Sequence, residues 1–260
     1  SDVYKRQDEG GKYLISLLSG HIGRANEWCS KLAVRIGAMP VITTATDARG
    51  MFAVDIFATE HNMRIVNPVM IKDISGRILN NEPVGITGND KYKNLLKVTE
   101  ERWNGQIKYT DNSNNEYESG VQIITGKDDK IVFKRTLKLV PQELAVGIGC
   151  KKGKSAHEIE RAVKKTFDKA GLLLEAIAVV ASVDRKADEA GIIEFARKCK
   201  VPYKTYTPEY LRDVEGDFVS SAFVEEQIGV GNVCERSAGD ASSGGEKLGG
   251  KTADNGVTVA

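Results

Sequence analysis

The second half of the chain alternates apolar segments of strand length with amphipathic segments, and this alternation limits its possible folds more than any other feature. Leu144 to Ile148 and Ile177 to Ala181 are apolar runs, and Tyr203 to Tyr206 is a third short strand. Between them, residues 155–170 and 188–199 carry apolar side chains at helical spacing. Strands that alternate with helices in this way are typical of an α/β fold with a mainly parallel sheet.

The first half begins with a similar unit. Residues 12–18 predict a buried strand, residues 25–36 an amphipathic helix that Gly37 ends, and residues 41–44 a second strand. The apolar face assigned to this helix consists of Ala25, Trp28, Cys29, Leu32, Ala33 and Ile36. The predicted fold class is therefore α/β: two three-layer α/β domains with mostly parallel sheets, joined by a smaller and more variable α+β middle segment.

The middle of the chain has a different composition. Residues 87–120 are rich in Asn, Lys, Glu, Ser and Thr, which indicates a surface insertion or linker. Residues 121–125 and 130–139 are apolar and are separated by Gly126 to Asp129, so they predict a β-hairpin.

Charge and cysteine content exclude several classes of function. The chain has 37 Lys and Arg against 36 Asp and Glu, whereas a protein that binds duplex nucleic acid needs a basic excess on at least one face. Its four cysteines form no CxxC pair, and with three histidines they give no zinc-type spacing. The chain also has no apolar run near the ~20 residues of a membrane span and no apolar signal region. We therefore expect a cytoplasmic protein with reduced cysteines, no metal of its own, no nucleic-acid partner and no membrane association.

The segment from Gly147 to Ser155 looks like a phosphate-binding loop between a strand and a helix, but its register does not fit. A P-loop needs glycine five residues before Gly153, where this chain has Ile148, and the dinucleotide pattern needs glycine at Lys152. The prediction that remains is an anion site, since helix N-terminal N–H groups beside lysines favour a ligand such as a carboxylate. The alternative is a glycine turn with solvated lysines.

A second polar constellation follows the two predicted strands of the first half. Ser19, Gly20 and His21 come after the first strand, and residues 43–47 end with Asp47 after the second. Ligands of open α/β sheets bind beyond the carboxyl ends of the strands, so we expect these side chains to converge. His21 is a candidate general base; the alternatives are a histidine hydrogen-bonded within the structure and an Asp47 that only caps a turn. A Ser-His-Asp triad is disfavoured, because adjacent loop residues rarely have the required geometry.

Smaller groups of polar residues follow the same logic. Asp184 to Glu189 come directly after a predicted strand, where they either bind polar substituents or form a charged loop that caps a helix. Cys234 is interpreted as a small core residue rather than a nucleophile. Lys251 and Thr252, followed by Asn255-Gly256, most simply mark a turn before the last strand.

Seven strings lie in a specific order along the chain. They are Leu17-Leu-Ser-Gly-His-Ile-Gly23 with Ala25-Asn26, Pro40-Val-Ile-Thr-Thr-Ala-Thr-Asp47, Phe52-Ala-Val-Asp55, Gly147-Ile-Gly-Cys-Lys-Lys-Gly153, Ser182-Val-Asp-Arg-Lys-Ala-Asp-Glu189, Gly229-Val-Gly-Asn-Val-Cys234, and Lys251-Thr252 with Gly256-Val-Thr-Val-Ala260. Together they resemble the cobalt-precorrin-5A hydrolase family of anaerobic cobalamin biosynthesis. The resemblance extends from about residue 8 to residue 260 and is weakest in residues 87–140.

The resemblance implies a hydrolase that opens the δ-lactone of a cobalt-bound contracted macrocycle and releases acetaldehyde. Its substrate would carry acetate and propionate groups, which suit lysines and helix N-termini. The cobalt would arrive with this tetrapyrrole intermediate, so no cofactor of the protein's own is expected. Neighbouring methyltransferases of the pathway are the other implied partners. The alternative is a non-catalytic module that binds or chaperones a corrinoid intermediate.

The resemblance also implies roles for particular residues. His21, Glu27 and Asp47 are the predicted catalytic residues, with the proton transfers assigned to His21 or Glu27. Backbone N–H groups around Gly20 to Gly23 would stabilise the oxyanion, and the loop from Gly147 to Gly153 would hold peripheral carboxylates together with Lys251. The predicted substrate-binding set is Ser19, Gly20, Gly23, Asn26, Thr44, Thr46, Gly147, Gly149, Cys150, Lys151, Gly153, Asp184, Lys186, Lys251 and Thr252.

Members of this family carry a longer N-terminal α/β region before the segment that Asp8-Glu9-Gly10 matches. We therefore expect residues 1–7 to be an unmatched extension and residues 8–60 to be a partial N-terminal α/β domain. A middle region over residues 61–140 and a C-terminal α/β domain over residues 141–260 complete the predicted organisation.

Overall fold

The computed structural model describes residues 4–7, 10–18, 25–42, 51–103, 105–111, 116–216, 218, 226 and 231–260. The chain forms two compact units. The first unit contains residues 1–124 and 129–141, and the second contains residues 125–128 and 142–260. Within the described ranges, no helix is long and apolar enough to cross a membrane.

A small sheet lies at the start of the first unit. It contains β1 (Tyr4–Gln7), β2 (Tyr13–Leu18) and β3 (Met39–Ile42) in that order. Helix α1 (Ala25–Ile36) joins the parallel pair β2 and β3, as the sequence predicts, whereas β1 runs antiparallel to β2. Residues 4–7, expected to be part of an extension, are therefore paired within the sheet.

Helix α1 buries a narrower face than its sequence predicts. Ala25, Cys29 and Ala33 are almost completely buried, and the Cys29 thiol donates to the Leu14 carbonyl oxygen. Trp28, which the pattern places on the same face, is 61% exposed. A three-stranded sheet covers only the stripe at positions i, i+4 and i+8, so the flanking apolar residues stay outside it.

A five-stranded sheet organises residues 51–141. Its strands are β4 (Met63–Ile65), β5 (Val84–Thr87), β6 (Ile107–Tyr109), β7 (Ser119–Ile123) and β8 (Arg135–Pro141). Their order across the sheet is β4-β8-β7-β5-β6, and only β4 is antiparallel to its neighbour. The helices of this region are α2 (Val54–Glu60), α3 (Ile71–Leu79) and α4 (Lys93–Arg102).

Two expectations for this region are wrong. The two apolar segments after residue 120 do not form a hairpin, because β7 and β8 are parallel neighbours. Residues 125–128 between them belong to the second unit, where Gly126 pairs with Leu172. Residues 87–120 are not a linker either, since Leu96 of α4 and Ile107 of β6 are fully buried in the core. Their polar composition reflects the exposed side of α4.

The second unit contains a five-stranded sheet of its own. Its strands are β9 (Leu144–Cys150), β10 (Ile177–Val183), β11 (Tyr203–Tyr206), β12 (Thr252–Asp254) and β13 (Val257–Val259). The order is β11-β10-β9-β13-β12, in which β9, β10 and β11 are parallel and β13 is antiparallel to β9. Asn255 and Gly256, both with positive φ, form the predicted turn between β12 and β13. The mixed α/β class with mainly parallel sheets is thus confirmed.

Helices cover both faces of this sheet. Helices α5 (Ala156–Lys169) and α6 (Ala190–Cys199) follow β9 and β10, and they share one core with Val146 and Ile148 of β9. Ser155 and Glu158 form a capping box at the start of α5. After β11 come α7 (Pro208–Asp213), which Thr207 caps, and α8 (Cys234–Ala241). Helix α8 packs against β9 on the side of Gly147 and Gly149, opposite α5 and α6.

Candidate functional site

The carboxyl ends of two parallel strands and one neighbouring turn bring polar segments of the second unit to one edge of its sheet. Strand β9 ends at Cys150 and continues into the loop Lys151 to Ser155. Strand β10 ends in the 3-10 turn Asp184–Lys186, with Glu189 shortly after it. The turn at Gly256 reaches the same edge, because the Lys151 N–H donates to the Gly256 carbonyl oxygen at 2.9 Å. This edge, which we call the carboxyl edge, is where ligands of open α/β sheets bind.

The structure gives Gly147 and Gly149, two predicted substrate-binding residues, a packing function. A Cβ atom at Gly147 would lie 1.8 Å from the carbonyl oxygen of Cys234, and one at Gly149 would lie 3.0 Å from the Cys234 Sγ. Strand β9 therefore needs glycine here so that the start of α8 can approach its backbone. A Gly-x-Gly spacing also occurs in phosphate-binding loops. The sequence alone therefore does not distinguish glycines needed for packing from glycines that bind a phosphate.

The backbone N–H of Gly153, predicted to receive a ligand carboxylate, is already bound by a carboxylate of the protein. Glu189 Oε1 accepts this N–H at 2.7 Å, and Glu189 Oε2 accepts from the Lys186 Nζ at 3.0 Å. Glu189 is 9% exposed. Burial by itself raises the pKa of Glu189, but the hydrogen bonds from Lys186 and Gly153 outweigh it, so the pKa is lowered. This contact also argues against a nucleotide phosphate at the loop, because the two anions would compete.

The lysines of the carboxyl edge differ in what they contact. The Lys154 Nζ binds Glu158 Oε1 at 2.8 Å, and Lys186 is committed to Glu189. Lys151 and Lys152 are exposed, and their side chains have no hydrogen bond or ion pair with any described residue. Of the loop's cationic side chains, these two are the exposed ones.

A cysteine and a tyrosine beside Glu189 are held in their neutral forms. Burial raises the pKa of the Cys150 thiol, and it raises the pKa of the Tyr203 hydroxyl to about 12. The Tyr203 hydroxyl donates to the Lys186 carbonyl oxygen at 2.9 Å, and the Ser182 hydroxyl donates to the Ile148 carbonyl oxygen at 2.6 Å. A protonated thiol is a weak nucleophile, so Cys150 is suited to contact a ligand and not to attack it.

The remaining predicted residues of the second unit are dispersed. Burial raises the pKa of Cys234 to about 12, partly opposed by the charge of Lys251, so Lys251 lies near the start of α8. The Thr252 hydroxyl shares a hydrogen bond with Thr166 of α5, and this contact ties it to the helix. Asp184 is exposed in its 3-10 turn.

The first-unit half of the predicted site falls largely outside the described residues. This holds for Ser19, Gly20, His21, Gly23, Thr44, Thr46 and Asp47, and for the side chain of Asn26. Glu27 is described: it lies in the first turn of α1, and its carboxylate forms an ion pair with Lys31 one turn later. Within the described ranges, no group of three His, Cys, Asp or Glu side chains is placed to hold a metal ion. The roles assigned to these residues stay predictions.

Three family models match the chain in succession. The model described as "Cobalamin synthesis G N-terminal" matches residues 6–47, "Cobalamin biosynthesis central region" matches residues 52–148, and "Cobalamin synthesis G C-terminus" matches residues 144–260. The first match begins at residue 6, inside the segment 1–7 that the sequence strings leave unmatched.

Two relatives of the chain carry the same name. The chain is 33% identical over 254 residues to a cobalt-precorrin-5A hydrolase of Salmonella typhimurium, which covers 97% of the chain and 72% of that relative. It is 28% identical to a cobalt-precorrin-5A hydrolase of Priestia megaterium, over 80% of the chain and 57% of that relative. Among solved structures, CobE, a protein from the cobalamin biosynthetic pathway, is 30% identical over 46% of the chain and 88% of CobE, with a TM-score of 0.42.

Proposed function

The chain belongs to the cobalt-precorrin-5A hydrolase family, and from this premise we propose that it opens the δ-lactone of a cobalt-bound macrocycle and releases acetaldehyde. The observation that carries the proposal is the 33% identity with the Salmonella typhimurium hydrolase, which extends over 97% of the chain. The three family models support it, because they follow each other without a long gap.

The proposed reaction has two parts. Water adds to the lactone carbonyl, and the ring C–O bond breaks to leave a carboxylate and a hydroxyl group. Removal of the hydroxyl proton then lets the adjacent C–C bond break, so that acetaldehyde departs while the electron pair and a proton pass to the macrocycle carbon. The first part needs an activated water and donors for the developing oxyanion, and the second needs a group that moves protons near neutral pH. We assign these proton transfers to His21 or Glu27, and the oxyanion to N–H groups around Gly20 to Gly23.

The carboxyl edge of the second unit suits the periphery of such a substrate. Acetate and propionate groups are anionic, and Lys151 and Lys152 offer two exposed ammonium groups that form no hydrogen bond or ion pair with a described residue. We propose that the cobalt belongs to the substrate and that the protein contributes no cofactor. As partners we propose neighbouring methyltransferases of the pathway, which co-purification with the tagged chain would test.

Replacement of either loop lysine is expected to weaken binding of the substrate. Lys151→Gln and Lys152→Gln should each raise KM about fivefold, the size of one exposed ion pair, and leave kcat nearly unchanged. The effect should shrink as salt is added, because the pairs are solvent-exposed. Lys164→Gln, on the exposed side of α5, is the matched control. An unchanged KM in both loop variants would show that these lysines do not bind the substrate.

Incubation of the protein with the cobalt-bound lactone tests the function itself. We expect acetaldehyde, measured by its reduction in a coupled dehydrogenase assay, in equal amount to the lactone consumed. Binding of the lactone without release of acetaldehyde would contradict the proposal and favour the non-catalytic binding module.

A further inference from the structure

Glu189 is a buried acid that bridges the glycine loop and the turn after the neighbouring strand. One carboxylate oxygen accepts the Gly153 N–H at 2.7 Å, and the other accepts from the Lys186 Nζ at 3.0 Å. Gly153 follows β9 and Lys186 follows β10, so one side chain joins the ends of two parallel strands. The sequence places it one position before helix α6.

The charge of this carboxylate is kept although the side chain is buried. A buried charge is stable only when it is paired and hydrogen-bonded, and Lys186 and Gly153 provide both conditions. The charge of Lys152 adds to them, while Cys150 and Tyr203, the other titratable groups beside it, are neutral because burial raises the pKa of each. Glu189 is thus the fixed negative charge of a cationic edge.

A second contact fastens the same loop to the same helix. Gly191 approaches the Lys154 carbonyl oxygen so closely that a Cβ atom there would lie only 2.0 Å from it. The Lys151 N–H is bound in turn by Gly256. The loop is therefore held on both sides of Lys152, and Gly153 is kept at φ +81°. Lys151 and Lys152 are left as its exposed cationic groups.

We propose that Glu189 is a positioning residue: it takes the place of a ligand carboxylate at the Gly153 N–H and so fixes Lys151 and Lys152 as the groups that meet the substrate's carboxylates. This inference rests on the proposed function. In consequence, the loop recognises its ligand through side-chain charges and not through the backbone N–H groups that its sequence suggests.

Glu189→Gln tests the proposal through the separation of KM from kcat. The amide oxygen can still accept the Gly153 N–H, but the charge that holds Lys186 is lost. We expect KM to rise at least about tenfold, as displaced positioning groups do, with kcat changed little. Glu194→Gln is the matched control, because Glu194 lies on the same helix and forms only an exposed ion pair with Lys198. Equal KM values in parent and Glu189→Gln would overturn the proposal.

Glu189→Ala gives a second, independent readout. It leaves the Gly153 N–H and Lys186 without their carboxylate, so added acetate should lower the raised KM and raise the unfolding temperature of this variant. Acetate should do neither for the parent or for Glu189→Gln, whose own side chain fills the position. If Glu189→Ala folds poorly, recovery of its fold by acetate is the expected result, and no recovery would contradict the proposal.

The test distinguishes this inference from the function beneath it. If the parent releases acetaldehyde and the Glu189 variants keep its KM, only the positioning role fails. If the parent binds the polycarboxylate uroporphyrin but releases no acetaldehyde from the lactone, the function fails. The positioning role is then judged from binding alone, by whether Glu189→Gln weakens the quenching of uroporphyrin fluorescence and acetate restores it in Glu189→Ala.

Discussion

Gly147→Ala is expected to prevent stable folding of the second unit. The new Cβ atom would lie 1.8 Å from the carbonyl oxygen of Cys234, 2.6 Å from its carbonyl carbon and 3.0 Å from its Cα. All three are backbone atoms, so no side-chain rotation relieves the clash, and the start of helix α8 must move away from β9. The first turn of α8 is also tied to the end of α7, because the Arg236 guanidinium donates to the Leu211 carbonyl oxygen at 3.0 Å and to the Val214 carbonyl oxygen at 2.7 Å.

The expected cost is at least the ~3 kcal/mol upper range of overpacked cores, a large part of the ~5–15 kcal/mol that stabilises a typical domain. Chemical unfolding followed by circular dichroism measures it. Gly250→Ala is the matched control, since its Cβ would meet nothing within 4 Å and its φ is not positive; we expect a change within ~0.5 kcal/mol. Gly149→Ala should fall between the two, because it meets mainly the movable Cys234 Sγ. A Gly147→Ala protein as stable as its parent would show that α8 does not pack in this way.

Features that depend on neighbouring residues could be predicted from the sequence. The capping box of Ser155 and Glu158 and the Thr207 cap before Pro208 involve residues within one helical turn, and both are present. Strand direction is different, because it depends on where a chain re-enters the sheet. Apolar segments around Gly126 carry the pattern of a hairpin, yet β7 and β8 are parallel. Local sequence patterns therefore predict which segments form strands, but not which strands pair with each other or in which direction.

The candidate site shows the same division. The position of the loop around Gly153 at the carboxyl edge could be predicted, because a strand, a loop and a helix follow each other directly in the sequence there. That Glu189 fills the loop's N–H does not follow, because 36 residues separate the two groups and the chain has 36 acidic side chains to choose from. The close approach of Gly191 to the Lys154 carbonyl oxygen, a tertiary contact two residues further on, accompanies the approach of this acid to the loop. Glu189 is therefore the residue that the pattern leaves out of the predicted set.

His21→Ala is expected to slow acetaldehyde release by about 10²–10⁴-fold, the usual contribution of a general base or acid. An imidazole changes its charge near neutral pH, so it can both take and return a proton during lactone opening and C–C cleavage. His21 comes three residues after the last residue of β2 in the sequence. Glu27, the other candidate, already has its carboxylate engaged in an ion pair with Lys31. Glu27→Gln should therefore reduce the rate less than His21→Ala does.

Single-turnover assays with saturating protein isolate the chemical steps from binding and product release. Added imidazole should restore part of the rate of His21→Ala, because a small base can enter the space that the side chain leaves, and it should not accelerate the parent. His61→Gln is the matched control: His61 is an exposed histidine whose ring contacts Phe57 in the middle region. If the His21→Ala protein releases acetaldehyde at the parent's rate, another group carries out the proton transfers. A comparison of the Glu27→Gln rate with the parent's rate would then show whether that group is Glu27.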